Sequence, residues 1–173
     1  MSLSALHSLV SGIDRITEWV GRAIAWLTLV MVIVTTCIVL LRYGLDLGWI
    51  AMQESVLYLH ALVFLLGASY ALKHDAHVRV DVFYRQFSAR KKAWVNLLGG
   101  VCFLIPVSLY IVISSWGFIH SSWAVFESSA EAGGLPLVFL LKSFILLFVV
   151  NLLLQGIAEI GRSILVLKQG ATK

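Results

Sequence analysis

Charge is what this sequence has least of: 13% of its 173 residues are Asp, Glu, Lys or Arg, about half the share of an ordinary soluble domain. With 60% of the residues apolar, the excess must face lipid. Cysteine is also scarce. Cys37 and Cys102 both lie deep in apolar runs, which excludes a disulfide framework and leaves them as small core residues. No glycine-rich loop runs into Lys and Ser or Thr, and no nucleophile elbow is present, so the machinery of nucleotide and ester hydrolysis is missing. The net charge of +4 does not point to nucleic acid, because the Lys and Arg residues sit beside apolar runs instead of forming a separate basic region.

What is there is a series of long apolar runs. Ala23 to Leu41 carries no charge and is bounded by Arg22 and Arg42, long enough for one membrane crossing, TM1 over 23–42. It is read as an uncleaved span, since no small-x-small site follows it and Asp14 and Glu18 precede it. Ser55 to Leu72 gives TM2 over 51–72, led in by Trp49. Ala93 to Phe126 is too long for one upright span, and Gly117 with His120, Ser121 and Ser122 predicts that TM3 covers 93–118, with 119–134 at the surface; Pro106 is a candidate kink. Leu135 to Ala158 is TM4, entered through Gly133, Gly134 and Pro136 and interrupted only by Lys142. In residues 1–22, Leu3, Leu6, Val10, Ile13, Thr17 and Val20 recur at helical spacing between polar residues, which predicts an amphipathic helix lying on the membrane interface; an upward continuation into TM1 is the plainer alternative. The expected fold is all-α, an integral membrane four-helix bundle with an N-terminal interfacial helix.

Four spans place the N-terminus, the basic loop 73–92 and the tail 159–173 on one side. Eleven of the thirteen Lys and Arg residues fall there, all but Arg42 and Lys142, so the positive-inside rule puts both termini in the cytoplasm. An odd number of spans would split the basic segments. Count and orientation therefore support each other.

Few residues carry chemistry. Glu54 at the start of TM2 and Lys142 in TM4 enter from the same side at comparable depth, so Glu54 is expected to pair with Lys142 or Arg42; a coupling-ion role is the sharper alternative. His60 and His120 raise haem ligation, but they lie at different depths. His74, Asp75, His77 and Asp81 have no specific metal spacing and are expected to be a solvated connector. Asn151, Gln155 and Glu159 form one polar stripe, destined either for the chain's own bundle or for a partner subunit. No enzyme, cofactor or metal is indicated. Trp19, Trp49, Trp94 and Trp123 fall at span ends, as an aromatic belt requires.

The sequence resembles the DctQ-like small membrane subunit of tripartite ATP-independent periplasmic (TRAP) transporters over most of its length. The resemblance rests on Arg42-Tyr43 closing TM1, Trp49 followed by Glu54, and Gly67-Ala68 leading to Ala71-Leu72. Its strongest piece is His77-Val78-Arg79-Val80-Asp81 with Tyr84; Glu131, Gly134, Leu135 and Pro136, then Lys142, Gln155 and Gly156, look like one branch of the family. Gln53 stands where the family often has a second acidic residue. The resemblance implies a sodium-coupled transporter of an organic anion with three components: a periplasmic binding protein, a large multi-span membrane subunit and this small one, packed on the scaffold of the large one. Arg42, Tyr43, Trp49, Glu54, His77, Arg79, Asp81, Lys142, Asn151 and Gln155 are the candidate structural or subunit-interface residues. Four helices without evident repeats are few for alternating access, which agrees with an accessory role. The rivals are a self-sufficient proton-coupled transporter using Glu54 and a haem-binding electron carrier.

Overall fold

The computed structural model describes residues 3–77 and 81–169, and among them every regular element is helical. Arg79, with Val78 and Val80, lies outside the described residues, and of Asp81 only the backbone is described. The elements are α1 (Leu3–Gly44), α2 (Ile50–Lys73), the short α3 (Asp81–Tyr84), α4 (Ala89–Gly99), a π-helical turn (Gly100–Leu104), α5 (Ile105–Ala124) and α6 (Val138–Gln169). Four stretches are long and apolar enough to cross a membrane: α1, α2, α4 to α5 as one continuous helix, and α6. The chain is a multi-pass membrane protein.

Only α2 matches a bilayer. Its 24 residues rise about 36 Å, whereas the 42 residues of α1 rise about 63 Å and the 32 of α6 about 48 Å, against a hydrocarbon core of about 30 Å. Side-chain contacts show where the excess goes. Lys73 at the end of α2 reaches Glu18, Thr17 meets Gln155, and Gly100 faces Ile160. Residues 3–17 of α1, most of α4 and the last turns of α6 therefore project together beyond α2, at the end of the bundle that carries both described chain ends.

This changes two expectations. Residues 3–22 do not form a separate helix: α1 is unbroken, and α6 covers part of its apolar stripe, with Val10 and Ile13 packed on Ala158 and Leu154, while Leu3 stays exposed. The third helix continues past residue 118, the expected end of its crossing, to Ala124, so the expected surface segment 119–134 begins as helix. The polar run fails to break it because a hydroxyl can bond its own helix: Ser121 donates to the Phe118 carbonyl and Ser114 to that of Ile111. The helix ends only where Phe126 takes a left-handed φ of 45°. A π turn lies just before Pro106, where the proline removes the bond to the carbonyl four residues back, that of Cys102.

The hub is α6. It packs against α1, α2, α4 and α5, while α1 and α2 also pack on each other. Glycines allow the close approaches. A Cβ on Gly156 would lie 2.5 Å from Leu104, one on Gly100 would lie 2.8 Å from Ile160, and Gly161 receives Val10 in the same way. Small residues are how helices approach closely in lipid, where no hydrophobic force drives them together. Trp19, Trp49, Trp94 and Trp123 are all exposed; Trp49, Trp94 and Trp123 stand near helix ends, whereas Trp19 falls within the unbroken α1.

Candidate functional site

The polar side chains that the membrane makes costly are gathered in two clamps, one at each end of the bundle. At the end bearing the chain ends, Thr17 donates to Gln155 Oε1 at 2.7 Å, and Gln155 Nε2 donates to Asp14 at 3.2 Å. Arg162 then grips both Asp14 oxygens at 2.8 and 2.7 Å and turns its other nitrogens to Glu159. Glu159 accepts from Asn96, whose own carbonyl accepts from Tyr84 at 3.0 Å. One hydrogen-bonded chain thus ties α1, α6, α4 and α3. The fork of a guanidinium suits a carboxylate on each side, and satisfying both limits the cost of taking the charges out of water.

A smaller cluster beside it holds α1 to the end of α2. Glu18 accepts from Lys73 at 2.7 Å and from Arg22 at 3.0 Å, with His74 at 3.1 Å. Lys73 also donates to the Asp14 carbonyl. Asp75 occupies the left-handed position after α2 with φ 53°, and the Ala76 N–H bonds back to the Ala71 carbonyl, closing the helix end.

At the opposite end Glu54 organises the loop 125–137. Its carboxylate accepts from the Ser129 hydroxyl and, at 2.6 Å, from the Leu135 N–H. Lys142 pairs with Glu127 and lies 3.9 Å from the centroid of the Phe118 ring. The expected Glu54 to Lys142 or Glu54 to Arg42 pair is therefore not formed: each of Glu54 and Lys142 finds a nearer partner in the loop between α5 and α6. The Lys142 ammonium holds the Glu127 carboxyl below the usual carboxylate range. Trp123 donates to Ser143 at 2.7 Å, and its ring stacks edge-on to Phe139.

The candidates named by sequence divide into two groups. Glu54, Lys142, Asn151 and Gln155 point inward; Gln155 is fully buried, and Asn151 donates to the Leu66 carbonyl at 3.3 Å. The polar stripe of α6 is thus answered within this chain. Arg42, Tyr43, Trp49 and His77 are exposed. His60 on α2 and His120 on α5 are exposed on helices that share no packing interface, so they do not converge on a haem. Among the described residues no group of three or more His, Cys, Asp or Glu side chains is placed to hold a metal. Sequence reading missed Asp14, Thr17 and Arg162, since Asp14 and Arg162 are 148 positions apart. The one signal was an arginine following the α6 stripe by a single turn.

Comparison with known proteins follows from this geometry. A profile of the family described as "Tripartite ATP-independent periplasmic transporters, DctQ component" matches residues 31–165. A curated relative, the C4-dicarboxylate TRAP transporter small permease protein DctQ of Vibrio cholerae, is 29% identical over 107 residues. The alignment covers 62% of this chain and 44% of that relative, so the chain spans less than half of the relative's length. No solved structure matches.

Proposed function

Because the chain belongs to the DctQ component family of tripartite ATP-independent periplasmic transporters, we propose that it is the small, non-catalytic membrane subunit of a sodium-coupled importer of an organic anion. The anion is a carboxylate or sugar acid brought by a periplasmic binding protein; the relative's printed name specifies C4-dicarboxylates for that protein. The bundle braces the scaffold of a large permease subunit, which holds the substrate and sodium sites. It lies in the bacterial inner membrane with both termini in the cytoplasm, because eleven of thirteen Lys and Arg residues sit on that side.

One observation carries the bracing role. The inward-facing charged groups at both ends are engaged by partners on other elements of the same chain, Asp14 by Arg162 and Lys142 by Glu127, with Glu54 held by backbone and serine. A group that relays an ion must change partners during the cycle. These hold elements together instead.

Sodium-driven uptake by vesicles containing the large subunit, the binding protein and this chain is the test. Omitting this chain is expected to abolish uptake; full uptake by the large subunit alone would sink the proposal. Glu54→Gln keeps an acceptor for the Leu135 N–H and is expected to retain transport, whereas a proton-coupled carrier would lose it.

A further inference from the structure

Most exposed surface on this bundle is what lipid accepts. On the π turn and α5 the outward residues Phe103, Val107 and Ile113 are apolar, and Ser114 and Ser115 bond back to their own helix; Tyr110 is also exposed, but its hydroxyl sits at the tip of a large apolar ring. On α1, Thr36 bonds to the Val32 carbonyl in the same way. Thr28 and Thr35 on α1 and His120 near the end of α5 are exposed too, but the α2 face departs furthest, because it sets a two-nitrogen ring at mid-helix. Along α2 the exposed residues are Gln53, Leu57, His60 and Phe64, spaced four, three and four apart and so aligned on one side of the helix.

His60 is the telling member. It stands ten residues into α2, about 15 Å from Ile50 and close to the middle of a 30 Å hydrocarbon core. Even neutral, an imidazole presents one N–H donor and one nitrogen acceptor. Among the described residues neither nitrogen has a hydrogen-bond partner, and the ring stacks on Phe64 with centroids 6.3 Å apart and planes inclined by 18°. Acyl chains satisfy neither nitrogen. A polar side chain at that depth requires a protein neighbour.

We infer that the α2 face formed by Gln53, Leu57, His60 and Phe64 is an intramembrane docking seam for a helix of the large permease subunit, with a hydrogen-bonding group on that helix opposite His60. The seam rests on the function proposed above. It fits the spacing of a helix-packing stripe: Leu57 and Phe64 supply the contact area, Gln53 a second hydrogen-bonding group nearer the membrane surface, and His60 the fixed register.

The seam is tested in membranes that contain both subunits. A photocrosslinking phenylalanine analogue at Leu57 or Phe64 is expected to yield an adduct with the large subunit, and the same probe at Ile113 only lipid adducts. His60→Leu is expected to lower recovery of the large subunit with this chain by about three- to tenfold, while the chain alone remains monodisperse. Adducts at Leu57 and Phe64 only with lipid or with a second copy of this chain, or recovery unchanged by His60→Leu, would overturn the seam while the unsubstituted chain still brings down the large subunit. If the unsubstituted chain brings down no large subunit, the functional proposal falls, and the seam with it.

Discussion

Asp14 and Arg162 show how a few side chains join distant parts of this protein. Their side chains are 25% and 31% exposed, so the pair is partly shielded and its strength lies between that of a surface bridge and a buried one. Asp14→Ala leaves Gln155 and Arg162 each short of a partner and is expected to cost roughly 1–3 kcal/mol, read from thermal unfolding in detergent. In a double-mutant cycle Arg162→Met should cost clearly less once Asp14 is gone; strictly additive losses would show that the pair contributes nothing. Glu127 gives a prediction in pH. Lys142 holds its carboxyl below the usual carboxylate range, so the stability it adds is fully present above that range and is lost as acid protonates it in the folded state. The melting temperature should fall as the pH drops through and below the carboxylate range, and by less in Glu127→Gln.

The helices themselves were readable in the amino-acid pattern because uncharged runs of spanning length have few alternatives. Their ends were not, because an end depends on partners. Ser121 looks like the end of a span until its hydroxyl bonds the Phe118 carbonyl, and the stripe from Leu3 to Val20 looks like a membrane-surface face until α6 is laid on Val10 and Ile13. The site was half legible: Asn151, Gln155 and Glu159 stand out as a stripe, but nothing local says that Asp14 and Thr17 answer it. Close contact between the π-helical turn and α6 rests on glycines. Gly156→Leu would drive a side chain into Leu104 and is expected to cost about 1–3 kcal/mol. Gly117→Ala, with nothing within 4 Å, should be neutral or stabilising by up to about 1 kcal/mol. Comparing the two unfolding midpoints separates packing from helix propensity.

At the scale of the molecule, the bundle is asymmetric along the membrane normal. One end carries only short loops tied down by Glu54 and Lys142; the other extends as three helices joined through Arg162. The proposed orientation is open to a direct check. In a variant lacking Cys37 and Cys102, an impermeant thiol reagent added to intact cells should label Asp46→Cys, in the α1–α2 loop, and spare Lys91→Cys until the membrane is opened. The reverse pattern would invert the topology.

The central position of α6 bears on how the protein is made. Synthesis proceeds from the N-terminus, so the helix on which α1, α2, α4 and α5 all rest is the last of them to leave the ribosome. Until it arrives, Thr17 and Asp14 lack Gln155 and Arg162, and Glu127 lacks Lys142. A nascent chain stalled before residue 138 is a pair of unattached halves exposing polar groups to lipid. Insertion of α6 is therefore the step at which these helices become one bundle, and products truncated before it should be prey for membrane proteases.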